Sequence, residues 1–454
     1  MYIHWFRSDL RLWDNHALSV SLDLAKNKSD LKFLWIWDKN ITSFNSDNIK
    51  IKYLTSRLDF LKSEVEKHGF EFIESTGKPT QIFATLLDKY KTLQVFANED
   101  YSPYSKSRDK LVSELLNLHD SELNLFKDST IFPDIINSKT KLPYKVLTYY
   151  KTEWLNKLNI DIDLKNYSND IFLQSDTESF DEFLSSKIYD YHKSRDLIAE
   201  NGTSKISHLL KFGVISIRYV IREIVKVYLE SNLDLKDFRS LKLNPKFSGV
   251  ESYLSEIIWR EFYKMILNFY PEVAKLAFQE KYRKLNWDLN FEDIVWQNEI
   301  PVLKTQFQNN SIKLKAYNNF LKFINSQTGF ELVDAGIAQL NLEYWMHNRV
   351  RMIIASFLTK DLHIDWRLGK YYFKLKLLDW DLASNNGGWQ WSAGVGTDAA
   401  PYFRIFNPDE QAEKYDPKRI YRDKYLKERD KLEKMIDHKL ERVRALERYQ
   451  STSI

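Results

Sequence analysis

The sequence predicts an α/β domain followed by an all-α domain, and three observations carry that reading. In the first third, short apolar runs alternate with amphipathic helical patterns. From about Phe126 to Phe172 the pattern weakens, with Pro133, Pro143 and scattered Asn, Ser and Asp. Beyond it, strand signals nearly vanish and helical periodicity takes over. The expected layout is an α/β domain over 1–128, an irregular linker over 129–172 and a helical domain over 173–454.

Tyr2 to Phe6, Leu31 to Trp37, Phe70 to Glu74 and Leu93 to Ala97 read as strands. Lys52 to Lys67 and Tyr104 to Leu118 read as helices between them. Such alternation predicts a parallel, Rossmann-like sheet covered on both faces. The first strand–helix turn, Arg7 to Asn15, contains no glycine, so the usual dinucleotide fingerprint is missing. Further on, Ser216 to Tyr228, Tyr253 to Phe269, Leu340 to Leu358 and Tyr425 to Tyr449 read as helices. Dense charge on the last predicts a solvated surface helix.

The 454 residues include 13 Trp, 26 Tyr and 28 Phe, and no Cys. Rings in such number suit stacking on a planar ligand or on bases, although a large core uses them too. Without cysteine there are no disulfides, thiolate nucleophiles, Cys-ligated zinc sites or iron–sulfur clusters. This fits a reducing cytoplasm. The nine His are scattered without metal-ligand spacing, so no metal is expected. A net charge of +4 permits a local nucleic-acid patch without announcing one. No apolar run approaches membrane-spanning length.

Four stretches carry the chemistry. Thr203-Ser204-Lys205-Ile206-Ser207 precedes a helix and offers hydroxyls and free N–H groups to an anion, or simply an N-cap. Glu256 and Arg260 flank Trp259 at i,i+4 spacing, as a surface ion pair or as a lining of a cavity. In Trp345 to Met352, Asn348 and Met352 share a helical face, as do Trp345 and Arg349. A lone His347 is more often structural than catalytic. The run Leu378 to Pro408 sets Asp379, Asp381, Asn385 and Asn386 beside Gly387-Gly388, Trp389 and Trp391, too irregular for one helix. A buried turn needs fewer polar groups beside its indoles than this.

That last run resembles the flavin-binding signature of the photolyase/cryptochrome family, over a long and nearly ungapped stretch. Trp5 to Arg11, and Asp100 to Tyr104 followed by Arg108-Asp109, are similar to two further landmarks of that family. The resemblance implies non-covalent FAD, held by Tyr191, Thr203, Ser204, Lys205, Ile206, Ser207, Glu256, Arg351, Asp379, Trp380, Asp381 and Asn385. It allows a second, antenna chromophore of folate or deazaflavin type in the N-terminal domain. It also implies damaged DNA on Arg195, Trp259, Arg260, Asn348, Arg349, Met352, Trp391 and Gln411. Arg351 would pair with Asp379, and Glu256 would hydrogen-bond the lesion. Trp389 and Trp366 match the inner and middle members of a tryptophan electron relay.

The chain departs from the pattern in places. Lys205 and Ile206 stand where Arg and Leu are usual, and Trp380 replaces a small or acidic residue. Phe323, Glu331 and Ala338 stand where Trp, Pro and Arg are usual. Phe291 to Lys322 looks like an insertion. The family holds both repair enzymes and light receptors, so the site decides. Asn348 and Met352 stand where enzymes for the (6-4) lesion carry His, and Asn385 stands where plant-type receptors carry Asp. The set therefore resembles class I enzymes that split cyclobutane pyrimidine dimers by light-driven electron transfer from reduced FAD. A photoreceptor without repair activity and a cofactor-free nucleic-acid-binding protein are the rivals. The expected enzyme is a cytoplasmic monomer acting on UV-damaged DNA, with no membrane contact and no obligate protein partner.

Overall fold

The computed structural model describes residues 1–40, 48–229, 247–427 and 432–452. They fall into two compact units. One comprises Met1–Tyr144, Thr148–Asp190 and Ser204–Pro271, and the other Lys145–Leu147, Tyr191–Thr203 and Glu272–Ile454.

The first unit is built on a five-stranded parallel sheet. Its strands are β1 (Tyr2–Trp5), β2 (Leu31–Trp37), β3 (Glu71–Thr76), β4 (Gln94–Asn98) and β5 (Glu122–Phe126), in the order β3-β2-β1-β4-β5. The four expected strands form, and β5 joins at the edge. Successive residues of β2 serve opposite faces. Phe33 and Trp35 pack with Phe6, Leu58 and Leu61. Leu34 and Ile36 pack with Ile3, Trp5, Phe83 and Val95. Helices α1 (His16–Leu24), α2 (Ile49–Lys67), α3 (Pro79–Tyr90) and α4 (Pro103–Asn117) connect the strands. Side chains of Asn15, Asn48 and Ser102 cap three of them by accepting backbone N–H bonds.

The expected boundary between 172 and 173 does not coincide with the compact units. Helices Ile217–Leu229 and Ser248–Phe269 belong to the unit that holds the sheet. Buried charge ties them there. Arg218 reaches Asp14 at 3.2 Å and Asp128 at 2.8 Å. The carboxylate of Glu261 accepts from Ile131 N at 2.9 Å and from Phe132 N at 3.1 Å. Nor is the expected linker wholly irregular. It contains the helix Leu147–Lys157, whose Tyr150 and Trp154 are fully buried and stand on one face at i,i+4.

The second unit is helical, with one antiparallel hairpin among the described residues, Ile294–Gln297 with Ile300–Leu303, inside the expected insertion. Two expected helices are broken. The 340–358 stretch divides into Glu331–Glu343, Asn348–Ser356 and a π-turn Phe357–Asp361, because Tyr344 takes a left-handed φ of 55°. Trp345 thus lies outside the helix and does not share a helical face with Arg349. The 425–449 stretch holds the end of Ile420–Leu426 and most of His438–Ser451, with 428–431 outside the described residues. The terminal helix is not wholly solvated: Ala445 and Tyr449 are buried, and Tyr449 Oη donates to Ala393 O at 2.6 Å. The run expected to be irregular contains the helix Leu382–Ala393, whose first turn Asp381 caps by accepting from Ser384 N at 2.9 Å.

Candidate functional site

Two helices position the acids, the amide and the indoles of the second unit. Trp366–Lys376 begins at Asp365, which accepts from Arg367 N at 2.9 Å. Leu382–Ala393 packs on it through Trp389. Close approach needs Gly369: a Cβ there would lie 2.0 Å from Cη2 of Trp389. Phe373 meets the same indole edge-on at 4.9 Å between centroids. Trp366 and Trp389 are 3% and 2% exposed, so both expected relay positions are buried on adjoining helices. Trp391, two residues on, is half-buried, as different helical faces require.

Arg351 and Asp379 form the expected pair, with Nη2 and Oδ2 at 2.8 Å, and Arg351 Nε donates to Met346 O at 2.8 Å. Asn385 Nδ2 donates to Lys370 O at 3.0 Å, which turns its carbonyl oxygen away as the acceptor it presents. Trp380 is half-buried under the ammonium of Lys374, 5.7 Å from its ring. Asn386 and Gln390 are buried and structural. Gln390 donates to Val273 O and accepts from Phe278 N.

Asn348 and Met352 share a face as expected, with Nδ2 and Sδ 3.8 Å apart. His347 caps their helix: its Nδ1 accepts from Arg349 N at 3.1 Å. Burial lowers His347 to about 4, which keeps the imidazole neutral and able to accept. Arg349 is held by Asp196 in a two-pronged contact, at 3.1 and 2.7 Å, and lies over the Tyr415 ring at 4.7 Å. Arg195 lies over Tyr191 at 5.6 Å. Gln411 is half-buried on the helix Pro408–Tyr415.

In the first unit, Glu256, Trp259 and Arg260 share the helix Ser248–Phe269. Trp259 is half-buried and packs on Tyr263 at 5.3 Å. Arg260 gives its guanidinium to Ser129 O at 2.7 Å, which ties it to backbone. Tyr253 Oη donates to Ser204 Oγ at 2.8 Å. Lys205 is exposed with φ 53°, Ile206 is buried, and Ser207 opens a six-residue helix. Thr203 belongs to the second unit, at the end of the segment Tyr191–Thr203.

Sequence reasoning missed Asp196, Glu261 and Lys370. Asp196 lies 153 residues from its partner, and no local pattern links them. Glu261 sits beside Arg260 and reads as another surface charge, yet it is 0% exposed.

The donor set fits a flavin nucleotide. A guanidinium, two carboxylates and an oriented amide on the second unit match the polar edge of a flavin. A Cβ built on Gly388 meets nothing within 4 Å, which leaves open space beside the helix that carries Asn385.

Comparison with known proteins agrees. Residues 2–167 match the family model described as DNA photolyase, and residues 253–452 the one described as FAD binding domain of DNA photolyase. The deoxyribodipyrimidine photo-lyase of Vibrio cholerae is 32% identical over 92% of this chain and 88% of its own length. That of Escherichia coli is 31% identical over 91% and 86%. Among solved structures, a bacterial class III photolyase from Agrobacterium tumefaciens is similar, with TM-score 0.80 and 25% identity over 100% of this chain and 97% of its own. A Synechocystis cryptochrome shares the fold, with TM-score 0.76 and 21% identity over 98% of each chain. With matched models over both parts and relatives above 30% identity across nine-tenths of its length, the chain belongs to the DNA photolyase family.

Proposed function

We propose that this chain is a deoxyribodipyrimidine photo-lyase that uses light and FAD to split cyclobutane pyrimidine dimers in UV-damaged DNA. The observation that carries the reading is the Arg351–Asp379 pair on the unit that also holds the locked amide of Asn385. When bound, reduced FAD supplies the light-driven electron. The chain's own residues bind, orient and shield.

Arg351 is a fixed cation, held by Asp379 and by Met346 O, and would keep one orientation toward the flavin edge. Asp381 spends one carboxylate oxygen on its helix cap, which also fixes that side chain. Asn385 would present its carbonyl oxygen to a ring N–H. Thr203, Ser204 and Ser207 would take phosphate oxygens, with Lys205 as countercharge and Ile206 as apolar backing, while Tyr191 and Trp380 would border the cofactor. Glu256 would share a proton with the lesion carbonyl. Trp259 and Trp391 would stack on the flipped bases, at about 1–3 kcal/mol per base, offsetting part of the cost of unstacking. Asn348 and Met352 would meet the lesion edge, and Arg195, Arg260, Arg349 and Gln411 the DNA.

The family assignment supports repair over the photoreceptor alternative, since the curated relatives cited above are named as photo-lyases. Among the described residues no helix is long and apolar enough to cross a membrane. We place the enzyme in the cytoplasm, which its lack of Cys fits, and separately propose a monomer, which light scattering checks. The test of function is dimer splitting in irradiated oligothymidylate under blue light, after chemical reduction. A yellow or blue protein without repair would favour the photoreceptor. A colourless protein that cannot be reconstituted would refute the flavin site.

A further inference from the structure

The side chain of Lys370 is buried beside the middle relay tryptophan. Its Nζ lies 4.9 Å from the centroid of the Trp366 ring. It donates to Ala274 O and lies 3.5 Å from Asn386 Oδ1. Its backbone oxygen, independently, holds the amide of Asn385 at 3.0 Å. The residue thus touches both the relay and the residue placed at the flavin, although neither contact was legible in the sequence.

We propose that Lys370 is a positioning residue that governs electron flow through Trp366: its ammonium disfavours an electron vacancy there and so restrains refilling of Trp389. This rests on the flavin reading above. An ammonium over an indole face stabilises the neutral ring. It repels the same ring once an electron has left, and burial weakens the screening of that repulsion. In photoreduction, Trp389 loses one electron to the excited oxidised flavin. Trp366 passes one electron to Trp389 and becomes deficient itself. An added thiol returns one electron to Trp366 and releases its proton, and the thiyl radicals left by two such events couple to a disulfide. Lys370 exchanges no electron and loses its proton only to water.

The charged groups acting on Lys370 are Asp365, which favours its protonation, and Arg367 and Lys374, which oppose it. Ala274 O and Asn386 face it from other segments and do not titrate. Burial is the largest influence and lowers Lys370 to about 8. The restraint therefore holds below that pH and relaxes above it.

Transient absorption of the oxidised holoprotein, followed from pH 6.5 to 9.5 with Lys370→Met and Lys370→Arg, tests this. The native yield of long-lived tryptophan radical is expected to rise about tenfold across the range. Lys370→Met should be high throughout, and Lys370→Arg low throughout. A second readout needs no flavin: apoprotein indole emission, as native minus Trp366→Phe, should titrate near pH 8 and lose that titration in Lys370→Met. Flavin titration of each apoprotein identifies a variant that merely misfolds. Equal radical yields and pH profiles in native, Met and Arg proteins that all bind flavin would overturn the proposal. Failure of every protein to bind flavin would overturn the flavin reading instead.

Discussion

Arg351 and Asp379 lie 2.8 Å apart between Nη2 and Oδ2, and the Asp379 side chain is only 3% exposed. Removing Asp379 takes away a charged hydrogen bond from Arg351, which is 25% exposed and keeps its bond to Met346 O, at about 1.5–3 kcal/mol. Asp379→Ala should therefore lower flavin affinity by at least tenfold and the thermal midpoint with it. Flavin fluorescence after gel filtration checks this; full occupancy would remove Asp379 from the cofactor site.

Arg349 is expected on a phosphate yet is gripped by Asp196 at 2.7 and 3.1 Å. Arg349→Ala should weaken binding to all DNA and reduce the salt slope by about one. Asp196→Asn should release the guanidinium and tighten non-specific binding several-fold. Fluorescence anisotropy against salt concentration measures both. A change confined to lesion discrimination would contradict a phosphate role.

Phe323 stands where the family usually carries Trp, which we take as the outer member of the relay beyond Trp366, but it is 0% exposed and stacks between Phe320 and Phe357 at 6.3 and 6.5 Å. A phenyl ring resists oxidation more than an indole, so native photoreduction should be slow. Phe323→Trp should speed it while leaving repair by the pre-reduced enzyme unchanged. Overpacking this core should cost about 1–3 kcal/mol, seen as a lower melting temperature. Native photoreduction as fast as the variant's, under equal light and donor, would point to another terminus.

His438 Nδ1 lies 2.5 Å from Asp361 Oδ1, which fastens the terminal helix to the π-turn. That hydrogen bond raises His438 above its ordinary value, and burial raises Asp361 to about 6. Both groups bind protons more tightly folded than unfolded. Their contribution is thus present at low pH and falls as pH climbs through their folded values. The melting-temperature advantage of the native protein over His438→Gln should therefore be largest near pH 6 and shrink as pH rises. An identical profile in the variant would dismiss the contact as a source of pH dependence.

Glu261 is fully buried and accepts from two connector N–H groups and, at 3.5 Å, from Trp154 Nε1. Glu261→Ala leaves those donors without an acceptor and should destabilise by about 3 kcal/mol or more. Denaturant unfolding measures it, and a loss within 0.5 kcal/mol, the usual range for about any surface site, would contradict the burial.

The sequence by itself determined the two classes of architecture, four of the five strands and the residue types of the site. Those features are local. Alternation of apolar runs follows from strand and helix periods, and the Asp379–Trp391 run is contiguous. Tertiary structure decided what depends on distant partners. Helices Ile217–Leu229 and Ser248–Phe269 fall with the sheet because Arg218 and Glu261 are buried against residues 90 and about 130 positions away. The break at Tyr344 was hidden because a left-handed tyrosine leaves no turn signature. Arg349 was expected on DNA, and only the fold brings Asp196 beside it. Lys370 belongs to no motif in the sequence. Only the packing of Ala274 and Asn386 around its ammonium, over the face of Trp366, makes it part of the chemistry.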